Sequence, residues 1–162
     1  MITFLKWQKH MELIKENKEK NRATYRKDQH TIRKVWYDKS LEWVDNHGYT
    51  VDKVKPNYVI KIGAEDDHAW IDFRYVEGIP ASEYPHTPQF VKLITEFCVD
   101  SIRKTSPYAH GDWVLSNIII NDKNIELIDW DNVGIYPVEQ IYEKLRSDLK
   151  SAFGDKFDTS SI

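Results

Sequence analysis

Residues Tyr108–Asn117, which read Tyr-Ala-His-Gly-Asp-Trp-Val-Leu-Ser-Asn, carry the strongest signal for the fold, together with Ile-Asp-Trp-Asp at 128–131. The polar groups that stand out in these two segments are Asp112, Asn117 and Asp129. A carboxylate can orient and deprotonate a hydroxyl group, whereas an amide oxygen and a second carboxylate can hold a hard divalent cation. Phosphoryl transfer from ATP needs these parts and little beyond positioning and charge neutralisation.

Two isoleucine-rich runs, 118–120 and 125–128, lie between the polar groups. They flank the polar sequence Asn-Asp-Lys-Asn at 121–124, a pattern that predicts a tight β-hairpin. A hairpin at this point returns Asp129 to the neighbourhood of Asn117. The sequence therefore predicts that an amide and a carboxylate from separate segments lie close together.

The pattern His-Gly-Asp-x-x-x-x-Asn at 110–117, followed by Ile-Asp-Trp-Asp at 128–131, resembles the catalytic signature of the aminoglycoside phosphotransferase and choline kinase group. This group is related to the protein kinases, which have His-Arg-Asp in place of His-Gly-Asp. The resemblance implies an α+β, bilobal, protein-kinase-like fold with a reduced N-terminal β lobe and a truncated, mainly helical C-terminal lobe. It also implies ATP and Mg²⁺ as cofactors.

The expected lobes are residues 1–78 and 79–162. The first would contain a helix, a β-hairpin, a short helix, two strands and a hinge. The second would be helical and would carry the catalytic loop and the metal-binding hairpin. In the family, the chemistry takes place in the cleft between the two lobes.

The resemblance assigns roles to five residues of the second lobe. Asp112 would be the catalytic base, Asn117 and Asp129 the Mg²⁺ ligands, and His110 a structural brace of the catalytic loop. Asp131 stands where protein kinases have glycine, and it either helps to hold a metal ion or caps the next turn. Without the resemblance, Asp112 can also be interpreted as a loop carboxylate that caps a turn.

The first lobe supplies the nucleotide contacts in this interpretation. Lys34 matches the strand lysine that contacts the α- and β-phosphates, and Glu42 on the following helix would orient it. Strand alternation places the adjacent Arg33 on the opposite face. The Arg74 carbonyl and the Val76 N–H would bind the adenine edge.

Local patterns predict the remaining elements. Apolar residues at helical spacing predict helices, and polar turns between β-branched runs predict hairpin strands. Proline and glycine mark the ends of these elements. The predicted elements are a helix over 4–20, hairpin strands at 23–26 and 31–37, a helix capped at 38–40 and ended by His47-Gly48, strands at 58–62 and 69–76, and helices over 87–104 and 138–153.

The family's phosphate-covering loop lies between its first two strands, and protein kinases make this loop glycine-rich. Here no glycine precedes Gly48. The sequence before the predicted hairpin favours a helix, so at least one strand of the small lobe is expected to be missing. Either the segment 25–30 covers the phosphates, or no segment does.

Composition excludes several classes of protein. Lys and Arg number 23 against 26 Asp and Glu, a net charge of −3 that does not favour nucleic-acid binding. The single Cys98 cannot form an intrachain disulfide, and no apolar run reaches the roughly 20 residues of a membrane helix. We expect a cytoplasmic protein without a membrane span. The truncated second lobe suggests a homodimer.

The function predicted from the sequence is an ATP- and Mg²⁺-dependent phosphotransferase that acts on a hydroxyl of a small molecule or saccharide. The alternatives are a weak or inactive nucleotide-binding kinase-like protein, a protein kinase, and a metal-dependent hydrolase with Asp112, Asp129 and Asp131 as ligands. A zinc site at His86 and His110 lacks closely spaced His or Cys partners.

Overall fold

A computed structural model describes residues 11–162, and the chain divides into two compact units after Tyr75. The first unit is built on a five-stranded antiparallel sheet with the strand order β1-β2-β3-β5-β4. The strands are β1 (Glu12–Asn17), β2 (Arg22–Arg26), β3 (Thr31–Trp36), β4 (Val59–Ala64) and β5 (Ala69–Arg74).

The prediction of a helix over 4–20 is wrong within the described residues, because residues 12–17 form the strand β1. The part of the predicted helix before Met11 lies outside the described residues. The apolar spacing of Met11 and Ile14 fits a helix, but β1 is mostly exposed and offers no stripe for a helix to bury. Its backbone groups pair with β2 instead, and Asn21 closes the turn at a φ of 49°. β1 thus occupies the place from which a strand was expected to be missing.

The helix of the first unit, α1 (Leu41–Val54), begins where the sequence predicts, since the Ser40 hydroxyl accepts a hydrogen bond from the Trp43 N–H at 3.2 Å. The predicted end at Gly48 is wrong. Gly48 is buried inside the helix, and a Cβ at this position would overlap the Cδ1 atom of Ile62 on β4. The glycine therefore permits close packing of the helix on the sheet rather than ending the helix.

The second unit contains two long helices, α2 (Pro88–Thr105) and α3 (Val138–Phe153), which agree with the predicted ranges. The predicted hairpin around 121–124 is also present. Short strands complete the unit: β6 (Ile79–Pro80), β8 (Ile118–Ile120) and β9 (Ile125–Leu127) form one sheet, and β7 (Tyr108–Ala109) pairs with β10 (Gly134–Ile135). Within residues 11–162, no helix has the length and apolar character of a membrane span.

Candidate active site

His110 ties the segment after β7 to the end of the hairpin. Its side chain is fully buried, its Nε2 lies 2.8 Å from the Ile128 carbonyl oxygen, and its Nδ1 lies 3.2 Å from the Asp112 backbone nitrogen. A carbonyl oxygen only accepts and a backbone N–H only donates, so these contacts require a neutral ring with the proton on Nε2. This geometry suits the predicted role of His110 as a brace.

Gly111 adopts a backbone conformation that other residues rarely reach. Its φ is 83°, and a Cβ atom built on it would lie 2.7 Å from the Asn132 carbonyl oxygen. Both constraints act on the backbone, so side-chain rearrangement cannot relieve them. Glycine at this position of the His-Gly-Asp sequence thus lets the loop pass close to the segment that follows β9.

Asp112 and Asn117, which the sequence predicts to act together, are in contact. The Asn117 Nδ2 lies 3.2 Å from the Asp112 Oδ2 and 3.3 Å from the Asp112 carbonyl oxygen, and both oxygens can only accept. The amide nitrogen therefore faces Asp112, and the amide Oδ1 is turned away from it. No hydrogen bond among residues 11–162 uses this Oδ1 or the Asp112 Oδ1.

Asn117 is also linked to the segment that carries Asp129. The Ile128 N–H donates to the Asn117 carbonyl at 2.8 Å, so the residue just before Asp129 is fixed against Asn117. Asp129 has a φ of 60°, which is uncommon for a residue with a Cβ atom and strains the backbone by about 1–3 kcal/mol.

The turn after Asp129 is anchored by Trp130. This side chain is 5% exposed, and its indole Nε1 donates to the Leu127 carbonyl at 3.0 Å. The Val133 N–H then donates to the Trp130 carbonyl at 3.2 Å, which closes a turn that contains Asp131. The hairpin and this turn together bring Asn117 and the start of the Asp129–Asp131 segment into one region of the second unit.

Asp148 on α3 is a site residue that sequence reasoning missed. Its Oδ2 accepts a hydrogen bond at 3.0 Å from the backbone N–H of Trp113, the residue after Asp112, and its Oδ1 pairs with Lys144. The one available signal was its position three residues after the buried Leu145, at the border of the apolar face of α3. Asp148 thus fixes the candidate catalytic loop to a long helix.

A cavity of about 420 Å³ adjoins the candidate catalytic loop. Gly111 and Trp113, on either side of Asp112, both line it. The indole Nε1 of Trp113 is buried and has no hydrogen-bond partner within residues 11–162. The other polar groups at this cavity come from the segment after Asp131 and from α3: Asn132, Tyr136, Gln140, Glu143, Lys144 and Ser147.

In the first unit, Lys34 lies in the middle of β3 and is 8% exposed. Its cross-strand partners are Thr24 on β2 and Ile71 on β5, and α1 packs on the Ile71 side of the sheet. Arg33 points to the opposite face, as alternation predicts, where its Nε lies 2.7 Å from the Oδ1 of Asp72. Lys34 and α1 therefore share one face of the sheet.

Glu42 lies in the first turn of α1 and is exposed; it makes no ion pair with any residue of 11–162. Its predicted pairing with Lys34 stays a prediction.

At the end of β5, the Tyr75 N–H donates to the His30 carbonyl at 2.7 Å and the Arg74 N–H donates to the Tyr58 carbonyl at 2.8 Å. Arg74 thus directs its own backbone groups away from β3. Val76 begins the second unit.

Within residues 11–162, no three His, Cys, Asp or Glu side chains are grouped so that they could hold a metal ion. The three-aspartate site of the hydrolase alternative is therefore not assembled among these residues. The predicted magnesium ligands are of another kind, since they are one amide and one carboxylate.

Comparison with known proteins identifies the fold. No protein-family model and no curated protein sequence matches this chain. Among solved structures, it is similar to the kinase PK-1 of Cydia pomonella granulovirus, with a TM-score of 0.59 and 13% identity over 98% of this chain and 79% of that one.

It is also similar to WbdD, in a co-crystal with the kinase inhibitor LY294002 (TM-score 0.55, 13% identity, 85% of this chain) and in the monomeric form (TM-score 0.56, 14% identity, 84% of this chain). The chain spans only 36% and 38% of those two structures. These similarities show an α+β, kinase-like fold, as predicted from the sequence.

Proposed function

We propose that this chain is an ATP- and Mg²⁺-dependent phosphotransferase, of the aminoglycoside phosphotransferase and choline kinase group, that acts on a hydroxyl of a small molecule or saccharide. One observation carries the proposal. The Asn117 amide donates to Asp112, so that one carboxylate oxygen and one amide oxygen stay available, next to the segment that leads into Asp129.

Asp112 has the properties of the proton acceptor. Its Oδ2 is held by Asn117, and its Oδ1 is available for the acceptor hydroxyl. As the hydroxyl oxygen bonds to the γ-phosphorus, the bond to the oxygen that bridges the β- and γ-phosphates breaks, ADP leaves, and Asp112 takes the hydroxyl proton. The side chains of His110 and Asp148 accept hydrogen bonds from the backbone N–H groups of Asp112 and Trp113, and these bonds keep the loop around the Asp112 carboxylate in place.

Asn117 and Asp129 fit the ligand chemistry of magnesium, which prefers oxygen atoms and needs few protein groups when phosphate oxygens are present. Such an ion would neutralise charge on the phosphates. Lys34 would contact the α- and β-phosphates, with Glu42 orienting it. The Arg74 carbonyl and the Val76 N–H are the proposed adenine contacts, and Asp131 is a further candidate metal ligand.

The cavity beside the loop supports a small, hydroxylated acceptor. It adjoins the backbone on both sides of Asp112 and combines the indole of Trp113 with amide, phenol, carboxylate and ammonium groups. The Trp113 indole borders the cavity but is fully buried, so the aromatic ring that can face a ligand is the half-buried Tyr136. This ring, with several polar groups of both hydrogen-bonding types, suits a polyhydroxyl ligand. Gln140 and Glu143 are the side chains that we expect to set the acceptor KM.

The test measures ADP formation with MgATP over a panel of sugars, amino sugars and amino alcohols. We expect Asp112→Ala and Asp129→Ala to lower kcat by about 10²–10⁴-fold. Asp122→Ala, in the exposed hairpin turn, is the matched control that also removes one carboxylate. Asp112→Ala should still bind ATP, whereas Asp129→Ala should bind MgATP more weakly. Equal rates for the wild type, both site variants and the control would refute the proposal.

A second candidate is a kinase-like protein that binds nucleotide without turnover. It is favoured by the sequence of the β1–β2 turn, Lys-Glu-Lys-Asn at 18–21, which has no glycine to let a backbone approach phosphates. It predicts that ATP stabilises the protein by about 2.7 kcal/mol at a hundredfold excess over Kd, without ADP formation over the acceptor panel. Thermal denaturation with and without MgATP, run beside the turnover assay, separates the two candidates.

A further inference from the structure

One row of cross-strand partners in the first unit joins Lys15 on β1, Thr24 on β2 and Lys34 on β3. The row continues through Ile71 on β5 to Ile62 on β4. Directly opposed residues of neighbouring strands have their side chains on the same face of a sheet. The two lysines and the threonine therefore belong to the face on which α1 packs.

The helix α1 covers only one end of this row. Gly48 adjoins Ile62 and Ile71, and the helix packs on β4 and β5. At the other end, Lys15 is exposed and Thr24 is half-buried. The lysine–threonine end of the row thus lies beyond the main contact area of α1.

The residues around Thr24 on this face are mostly cationic. Arg22 and Arg26 lie two positions to either side of it on β2, and alternation gives them the same face. Two carboxylates balance them in part, because Glu12 is the cross-strand partner of Arg26 and Glu42 lies on α1. Counted over Lys15, Lys34, the two arginines and these two carboxylates, the formal charge is positive, which favours an anionic ligand.

We propose that Lys15 and Thr24 extend the phosphate-binding site from Lys34 along β2 to β1. This inference rests on the proposed function, since Lys34 marks the nucleotide phosphates only if ATP binds here. Neighbouring strands lie about 4.8 Å apart, so Lys15 and Lys34 are separated by two such spacings, which suits an extended polyphosphate better than a single phosphate. The Thr24 hydroxyl lies between them as a hydrogen-bond donor.

This arrangement explains how a hairpin without glycine can bind the phosphates of a nucleotide. The Cβ atoms of the β1–β2 turn keep its backbone N–H groups away from a phosphate. A lysine ammonium on a flexible four-carbon stem reaches a phosphate oxygen without close approach of the backbone. Side-chain cations from the row thus take over the binding role of backbone amides.

The test compares ATP with adenosine, which lacks phosphates, by calorimetric titration of the full chain in the presence of Mg²⁺. The variants are Lys15→Ala, Thr24→Val and the matched control Lys61→Ala. Lys61 is also an exposed lysine of this sheet, but it is the cross-strand partner of Asp72 and therefore lies on the opposite face.

We expect Lys15→Ala to raise the Kd for ATP about tenfold, Thr24→Val to raise it by a smaller factor, and Lys61→Ala to leave it unchanged. The Kd for adenosine should stay the same in all variants. Thermal melts verify that each variant is folded. Lys15→Gln also removes the positive charge but keeps a longer side chain than alanine.

The outcomes separate this inference from the proposed function. If the wild type binds ATP and Lys15→Ala binds it equally well, the lysine row is refuted and the proposed function stands. If Lys15→Ala and Lys61→Ala lose affinity equally, the effect comes from net charge and the row is again refuted. If the wild type binds no ATP, the proposed function fails, and this inference fails with it.

Discussion

Substitution of Gly48 by alanine tests how α1 packs on the sheet, and therefore how the face that carries Lys34 is built. Alanine is favoured over glycine inside a helix by about 1 kcal/mol. The added Cβ would overlap the Ile62 Cδ1 and come within 3.7 Å of the Ile71 Cδ1. Overpacking of this kind costs about 1–3 kcal/mol, so Gly48→Ala should lower the free energy of unfolding by roughly 0–2 kcal/mol.

The atom that causes the overlap can be removed separately. Ile62→Val deletes Cδ1 and, by itself, should destabilise the protein by about 0.5–1.5 kcal/mol. In the Ile62→Val background the overlap is gone, so Gly48→Ala should become stabilising by up to about 1 kcal/mol through helix propensity alone. The two changes should therefore be coupled by about 1–3 kcal/mol.

Urea unfolding of the four proteins, followed by tryptophan fluorescence and by circular dichroism, gives the coupling energy. The two probes also show whether the two units unfold together, a condition for a two-state free energy of unfolding. Additive effects of the two changes would refute the close packing of Gly48 on Ile62. If Gly48 were instead a left-handed residue that ends the helix, alanine would be destabilising in both backgrounds and Ile62→Val would not rescue it.

Two further predictions concern the second unit. Asp148→Ala removes the acceptor of the Trp113 N–H and should therefore lower kcat at an unchanged Kd for ATP. The control Lys144→Ala keeps that acceptor and should lower kcat less. Steady-state kinetics and ATP titration measure the two quantities. Burial raises the pKa of the Cys98 thiol to about 12 from its ordinary value of 9.0, with a smaller contribution from the negative charge of Asp148. The stability linked to this thiol is therefore fully present below pH 9.0 and is lost as the pH rises toward about 12, so unfolding free energies of the wild type should fall more steeply over that range than those of Cys98→Ala. Parallel curves for the two proteins would contradict a protonated, buried thiol.

Elements with a strong local pattern were predicted correctly. The apolar positions Ile141, Leu145, Leu149 and Phe153 recur every four residues, and all four are buried on one face of α3. The hairpin of β8 and β9 is flanked by apolar runs with a polar turn between them, and it forms as predicted. In both cases the residues that carry the signal are near neighbours in the chain.

Elements that depend on distant partners were not predicted. The charged sequence of β1 has little preference of its own, and pairing with β2 makes it a strand. Gly48 has the sequence signature of a helix end, yet the closeness of Ile62 makes it a packing position inside α1. Asp148 gave almost no signal, because its role depends on the backbone of Trp113, which lies 35 positions earlier.

The amino-acid sequence is enough to specify which chemical groups the candidate site contains and their order along the chain: Asp112, Asn117 and Asp129, with a hairpin between the last two. The folded chain is needed to show that the Asn117 amide nitrogen faces Asp112 and that its oxygen does not. Likewise, only the register of β1, β2 and β3 aligned Lys15 with Lys34. The physical reason is that hydrophobic periodicity is a local property, whereas hydrogen-bond direction and strand register are set by groups that are far apart in the chain.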